Sequence, residues 1–325
     1  MIVSQTPLRI SFSGGGTDLR GFYSREPGVV ISSAIDKYVY VVVKRRFDAK
    51  LRVAYSRTEI VDSLEALQHE LVREALRRAG VHSGLEICTL ADVPSEGTGL
   101  GSSGSLTVGL LHALYTFAGR PQPPEVLARQ ACEIEMDWLQ RPVGKQDQYI
   151  AAYGGLRLFR FLANGEVETR RLELSAPRRC RLEQDLMLFF TGRTRAAADV
   201  LQEQSARICD NLDLLRAMKQ LTGEFQECLL NGMGEEMGRL LHRGWELKRQ
   251  LASTISTAEI DAYYQRALEA GATGGKLSGA GGGGFLLLHC PQEHQPQLRA
   301  ALPELVEMPF RLEERGTRIL LQTEE

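Results

Sequence analysis

The first 60 residues are rich in strand-forming side chains. Val29–Ile35 and Tyr38–Val43 are dense in β-branched and aromatic residues, and Arg52–Tyr55 reads as a shorter strand after them. From residue 64 the period changes. Leu64, Leu67, Leu71, Ala75 and Leu76 recur at helical spacing and Gly80 follows, which predicts an amphipathic helix over 64–79. Leu85–Leu90 returns to a strand. Ser105–Ala118 is apolar almost throughout and predicts a buried helix closed by Gly119. Pro123 and Pro124 open another helix, through Leu127, Ala131, Ile134 and Trp138, and Pro142 ends it. Leu156–Phe161 and Val167–Leu174 then form a predicted hairpin about Asn164–Gly165.

The character changes after Pro177. Leu186–Thr191 reads as a buried strand, followed by helical stretches over 196–230, 235–251 and 258–270. A glycine run over 279–284 leads into the strand Phe285–His289, and Met308–Leu312 and Arg318–Leu321 are two further strand candidates. There is no internal repeat. Mixed strands followed by helices predict an α+β fold in two halves rather than a regular βαβ array. The expected division is 1–176 and 177–325, which a chain of 325 residues accommodates.

Composition acts mainly by exclusion. Apolar residues make up 43% and charged residues 25%, the mix of an ordinary globular protein. A formal net charge of −2 gives no bulk attraction to nucleic acid or to an anionic membrane. Any anionic ligand must therefore be held by local groups. No segment approaches the roughly 20 apolar residues of a membrane span, and the N-terminus lacks the apolar stretch of a secretory signal. The six cysteines show neither a C-x-x-C pair nor zinc spacing and read as reduced thiols. These features lead us to expect a cytoplasmic protein. The oligomeric state stays open, a homodimer included.

Three glycine-rich loops carry candidate chemistry. The central one runs Pro94-Ser-Glu-Gly97-Thr-Gly99-Leu100-Gly101-Ser102-Ser103-Gly104-Ser105, after a strand and into a helix. Glycines let several N–H groups converge, and a helix N-terminus adds partial positive charge, which suits a phosphate chain. A plain helix-capping turn has the same composition. The Walker A pattern fails because Ser105, not a lysine, follows Gly104. Gly99, Gly101 and Gly104 match G-x-G-x-x-G literally, as do Gly279, Gly281 and Gly284. A dinucleotide fold would continue into a second parallel strand, whereas this chain continues helix, Gly119, prolines, helix. In the first loop, Thr6 to Asp18, Arg9 reads equally as an edge charge and Asp18 as a turn cap. The third loop, Lys276 to Phe285, implies a very close backbone approach to a chain segment or ligand.

Taken together, these segments resemble the galactokinase–homoserine kinase–mevalonate kinase–phosphomevalonate kinase superfamily. Pro7-x-Arg9 with Gly-Gly-x-Thr17-Asp18 is like its first motif, Pro94 to Ser103 like its second, and Lys276 to Gly284 like its third. A fourth stretch, Cys132 to Gln148, is similar to its magnesium-glutamate helix and catalytic-aspartate loop. The resemblance covers nearly the whole chain. It implies a two-domain fold, with a mixed α/β first domain bearing the phosphate loop and a ferredoxin-like α+β second domain. It implies ATP and Mg²⁺ as cofactors. Asp147 would take the acceptor's proton, with Arg9 beside it. Gly97, Gly99, Leu100, Gly101, Ser102, Ser103 and Gly104 would wrap the nucleotide phosphates. Ser103 and Glu135 would be the metal ligands, with Glu133 a rival for the place of Glu135; two residues apart, the two point to different sides of a helix, so only one can face the site, and the motif spacing favours Glu135.

Within the superfamily, Thr6–Leu19, Ser33–Tyr40, Val143–Tyr149 and Phe190–Arg195 are most like the bacterial kinases that phosphorylate the anomeric hydroxyl of D-glycero-D-manno-heptose 7-phosphate on the way to nucleotide-activated heptose. The implied acceptor is a sugar phosphate. Another kinase of the superfamily, acting on fucose, galactose or a mevalonate-like acid, is the alternative. A non-catalytic sugar sensor would not need Ser103, Glu135 and Asp147 together. The acceptor-binding residues implied are Gly14, Gly15, Gly16, Thr17, Asp18, Lys37, Gly144, Gln146, Arg193 and Gly281. Three consecutive glycines offer amides for the acceptor's own phosphate. Lys37, Lys145, Arg193 and Arg195 are its candidate counter-charges.

Overall fold

The computed structural model describes residues 1–94, 97–194, 197–232 and 234–323. The first half is built on β1 (Ile2–Ser13) and β2 (Gly28–Arg45), joined by the glycine loop and the short α1 (Arg20–Tyr23). β3 (Leu51–Ala54), β4 (Thr58–Val61), α2 (Glu70–Ala79) and β5 (Leu85–Ala91) follow, then α3 (Ser102–Phe117), α4 (Pro124–Cys132) and α5 (Gln146–Tyr153). The hairpin β6 (Leu156–Phe161) and β7 (Val167–Arg171) ends this half. The second half contains α6 (Ala176–Asp185), β8 (Leu186–Phe190), α7 (Ala197–Ala206), α8 (Leu212–Asn231), α9 (Glu235–Lys248) and α10 (Ala258–Glu269). β9 (Gly274–Leu277), β10 (Phe285–His289), α11 (Gln295–Ala301), β11 (Val306–Glu307) and β12 (Arg318–Gln322) complete it.

Two sheets organise these elements. The first runs β12-β1-β2-β5-β3-β4, with β6 and β7 branching from β2. Its two long strands are antiparallel and lie under α3, which is buried along most of its length, as its apolar sequence requires. The second sheet has the order β11-β8-β10-β9 and is antiparallel throughout. Numbered within that half the order is 4-1-3-2, with helices between strands one and two and between three and four, which is the ferredoxin-like arrangement expected. The strand 318–322 returns to pair with β1, so a division at 176/177 does not separate the two sheets cleanly. One apolar cluster also spans both halves, joining Leu8, Ile10, Phe12 and Ile35 to Leu221, Phe225, Leu241 and Leu287.

Several local expectations are corrected. Residues 29–43 form one strand, bulged where the register with β1 jumps from Pro7↔Tyr38 to Leu8↔Ile35. The helix expected over 64–79 is a 3₁₀ turn at Leu64–Ala66 followed by α2. The stretch 196–230 breaks between α7 and α8, where the Asn211 amide donates to the Leu251 carbonyl at 2.8 Å. Met308–Leu312 is not a strand; Leu312 makes a single bridge to Ile35. Among the described residues, no helix is long and apolar enough to cross a membrane.

Candidate active site

A cleft of about 410 Å³ opens between the two halves. One wall is the loop that enters α3. The Leu100 side chain is fully buried and anchors it, and the Leu100 carbonyl accepts the Arg9 amide at 3.0 Å. From the other half, the Phe285 amide donates to the Thr98 carbonyl at 3.1 Å. Gly99 has φ +76°, and a Cβ there would lie 2.4 Å from the Ser278 carbonyl oxygen. The third glycine loop therefore rests directly on the second, which answers what its close backbone approach is for. Gly97, Thr98, Gly99, Gly101, Ser102 and Ser103 line the cleft. Leu100 and Gly104 do not: the first belongs to the core, and the second packs on Asp147 from the first turn of α3.

Asp147 stands in the first turn of α5 and faces this loop. Arg9 holds it with both arms, Nε to Oδ1 at 2.8 Å and Nη2 to Oδ2 at 2.9 Å. The remaining guanidinium nitrogen, Nη1, donates to the Gly99 carbonyl. Arg9 is buried, so this fork fixes a carboxylate against the loop with both of its oxygens oriented. Arg9 is not a plain edge charge.

Glu135 lies on a π-helical segment, Glu133–Trp138, that continues α4. The wider turn separates the two glutamates. Glu133 pairs on the surface with Arg78 at 2.5 Å and Arg129 at 2.6 Å. Glu135 is fully buried; its Oε1 accepts from the Gln148 amide at 2.8 Å, and among the described residues its Oε2 has no hydrogen-bond partner. Burial pushes its carboxyl above the usual range, and the Gln148 amide and Ser103 hydroxyl pull it back. A buried, orphaned carboxylate oxygen beside a serine hydroxyl is a donor set that fits a hard divalent cation, which takes few protein ligands and completes its shell with water and phosphate.

Of the residues expected to bind the acceptor, Gly15, Gly16, Asp18, Gly144 and Gln146 line the cleft. Asp18 is buried; Oδ1 accepts the Gly16 amide at 2.9 Å and Oδ2 the Gln146 amide at 3.4 Å. Burial raises its carboxyl, against those amides and with a further push from the charge of Asp147. Gly144 packs against the same carboxylate. Five expected contacts fall elsewhere. Gly14 faces the Val29 carbonyl, and the Thr17 hydroxyl is used within the fold, on the Gly14 carbonyl at 2.8 Å and the Val29 amide at 3.0 Å. Gly281 faces Ile255. Lys37 sits in the β2 bulge paired with Asp36 at 3.1 Å, and Arg193 is exposed and paired with Glu259 at 2.6 Å. The Gly16 amide, counted on for an anion, is taken by Asp18. Lys145 also turns away, to the Gly165 carbonyl and over the Tyr23 ring at 4.9 Å. Arg195 lies outside the described residues.

The cleft also contains residues not read as site residues, among them Ser11, Arg141, Gln204, Lys248 and Lys276. Ser11 was findable. Side chains two apart on a strand share a face, and Ser11 follows Arg9 by two. Lys276 opens the third glycine motif. Lys248 ends an ordinary amphipathic helix and carries no local signal.

Family models describe the two halves. The model for the GHMP kinases N terminal domain matches residues 65–155, and that for the GHMP kinases C terminal matches 225–307. The chain is 30% identical over 302 residues to the D-glycero-alpha-D-manno-heptose 7-phosphate kinase of Campylobacter jejuni subsp. jejuni, covering 88% of each protein. It is 31% identical over 217 residues to the mevalonate kinase of Methanothermobacter thermautotrophicus, covering 64% of this chain and 65% of that one. Among solved structures, a D-glycero-D-manno-heptose 1-phosphate kinase from Bacteroides thetaiotaomicron superposes over 100% of both chains with a TM-score of 0.83 at 26% identity. With both family models and a full-length relative in agreement, the chain belongs to the GHMP kinases, phosphotransferases with an alcohol group as acceptor.

Proposed function

We propose that this protein transfers the γ-phosphoryl group of ATP to the anomeric hydroxyl of D-glycero-D-manno-heptose 7-phosphate. The observation that carries the substrate assignment is the end-to-end similarity to a heptose 7-phosphate kinase, at 30% identity over 88% of each chain. The geometry supports the chemistry. Phosphoryl transfer asks the protein for in-line positioning and for cations near the transferring oxygens rather than for covalent work. The loop 97–103 offers a cradle of main-chain groups for the phosphates, and Asp147, locked by Arg9, faces it. The anomeric hydroxyl hydrogen-bonds to Asp147 and attacks the γ-phosphorus. As the new P–O bond forms, the bond to the β-phosphate oxygen breaks, the hydroxyl proton passes to Asp147, and ADP leaves. Ser103 and Glu135 would hold Mg²⁺, which supplies charge neutralisation on the phosphate oxygens. Asp18, with Gln146 beside it, reads the sugar hydroxyls. In this reading residues 1–176 form the nucleotide-binding half and 177–325 the other, and charged, membrane-impermeant substrates place the reaction in the cytoplasm.

The test is ADP release by the purified protein with Mg-ATP over a panel of heptose 7-phosphate, unphosphorylated heptose, galactose, fucose and mevalonate, with ³¹P NMR of the product. Turnover of heptose 7-phosphate with a new anomeric phosphate is expected. Turnover confined to another acceptor would overturn the assignment.

A further inference from the structure

Two lysines face the cleft with no carboxylate holding either of them. Lys276, on β9, is 6% exposed and lines the cleft; among the described residues its ammonium makes no hydrogen bond or ion pair. Lys248, at the end of α9, is also 6% exposed. It donates to the carbonyls of Leu277, at 3.3 Å, and Gly279, which ties α9 to the strand and loop that carry Lys276. The charges bearing on Lys276 are Lys248 and Arg9, of its own sign, and Asp18. Asp18 is already engaged by two main-chain amides, and Arg9 is spent on Asp147. The one other cation lining the cleft among the described residues, Arg141, is tied to Glu70 at 3.1 Å.

Burying an ammonium group without a counter-ion is costly, and a fold keeps such a group where a ligand supplies the missing charge. The nucleotide phosphates have their own cradle on the first half of the chain. Every cationic seat the sequence offered the acceptor's phosphate within the described residues is lost, since Lys37, Lys145 and Arg193 point elsewhere, and the Gly16 amide is taken by Asp18. We propose that Lys276, positioned and reinforced by Lys248, is the seat of the acceptor's own phosphate group. This rests on the sugar-phosphate kinase reading above. It makes these two residues the determinant that separates a phosphorylated from an unphosphorylated sugar. Asp18, on the same side of the cleft, then serves the hydroxyls between that phosphate and the reacting anomeric oxygen.

The experiment compares wild type with Lys276→Met, Lys276→Arg and Lys248→Met, using heptose 7-phosphate and the same heptose without its phosphate. Lys276→Met is expected to lose roughly 10- to 100-fold in kcat/KM on the phosphorylated sugar beyond any loss on the unphosphorylated one, through KM of the sugar. The KM for ATP should stay within a few fold, and Lys276→Arg should recover part of the loss. Equal losses on both sugars, or a parallel rise in the KM for ATP, would place the lysines on the transferring phosphoryl group instead and overturn the proposal. Should wild type use neither sugar, the heptose assignment fails separately. The seat is then read by inorganic phosphate, titrated against protein saturated with Mg-ADP so that the nucleotide cradle is filled. Thermal stabilisation by phosphate that survives in Lys276→Met would refute it, and stabilisation lost in that variant would support it.

Discussion

Asp147 is gripped by two nitrogens of one guanidinium, and that fixes what its replacement does. Asn in its place keeps the size of the side chain but removes the proton acceptor and one arm of the fork to Arg9. Asp147→Asn is expected to lower kcat by roughly 100- to 10,000-fold with little change in the KM for ATP, read by coupled ADP release. A loss of less than tenfold would remove Asp147 from the chemistry. Ser11 makes a different case. The residue is 4% exposed and lines the cleft, and its buried hydroxyl has no hydrogen-bond partner among the described residues. An unmet buried hydroxyl costs stability, so Ser11→Ala should leave the melting temperature unchanged or raised. If the hydroxyl waits for a sugar oxygen, the same change should raise the KM for the sugar about fivefold, near the net contribution of about 1 kcal/mol of one neutral hydrogen bond. Destabilisation with an unaltered KM would show that Ser11 serves the fold alone.

Helix α3 meets α5 across a glycine, and under the proposed mechanism the contact bears on catalysis. A Cβ at Gly104 would lie 2.9 Å from the Asp147 Cβ and 3.1 Å from the Gln148 nitrogen, so Gly104→Ala must push the start of α5 outward. Misplacing a catalytic group by about 1 Å costs on the order of 100-fold, and kcat is expected to fall by that order. Gly223, exposed in α8 with nothing within 4 Å of its would-be Cβ, is the control: Gly223→Ala should stabilise by about 1 kcal/mol with kcat unchanged. What the sequence reveals at this level follows periodicity and punctuation. α2 shows as an apolar period, α3 as a nearly continuous apolar run, and β6–β7 through Asn164–Gly165. β1 hides, because its buried positions include Ser4, Thr6, Arg9, Ser11 and Ser13, which mask the apolar signature of a central strand. The break between α7 and α8 carries neither glycine nor proline; it is set by Asn211 reaching Leu251, a contact made only on folding. The glycine loops and the Glu135–Asp147 stretch are legible because their residue types and order match a family pattern, although Asp147 meets Arg9, Glu135 meets Ser103 and the third loop meets the second only in the fold. The acceptor-side cations are not. Lys37 and Arg193 are basic residues in suggestive segments, yet a strand bulge and an exposed ion pair turn them away, while Lys248 arrives from a helix far along the chain.

That convergence has a consequence for the folded state of the whole chain. Lys248 and Lys276 come from the second half, Arg9 and Asp18 from the first, and only the docking of the two halves brings them together. Burial, helped by the charge of Arg9, pushes Lys248 down to about 7 from its ordinary 10.5; burial, then Lys248 and Arg9, pushes Lys276 well below its ordinary value. In the unfolded chain both lysines keep their protons up to the ordinary value. Between pH 7 and 10.5 the unfolded state therefore binds more protons than the folded one, and stability rises with pH across that window; below pH 7 the cost of burying the Lys248 cation is present in full. The slope contributed by one such lysine is at most about 1.4 kcal/mol per pH unit. Urea midpoints of the ligand-free protein should accordingly rise from pH 7 to pH 9, and Lys248→Met should flatten the rise while gaining stability at pH 7. An anion seated between the lysines favours their charged forms, so saturating sugar phosphate should stabilise the protein more at pH 7 than at pH 9. A slope in Lys248→Met equal to that of wild type would mean that the lysine keeps its proton throughout, shielded by the Leu277 and Gly279 carbonyls rather than waiting for a ligand's charge.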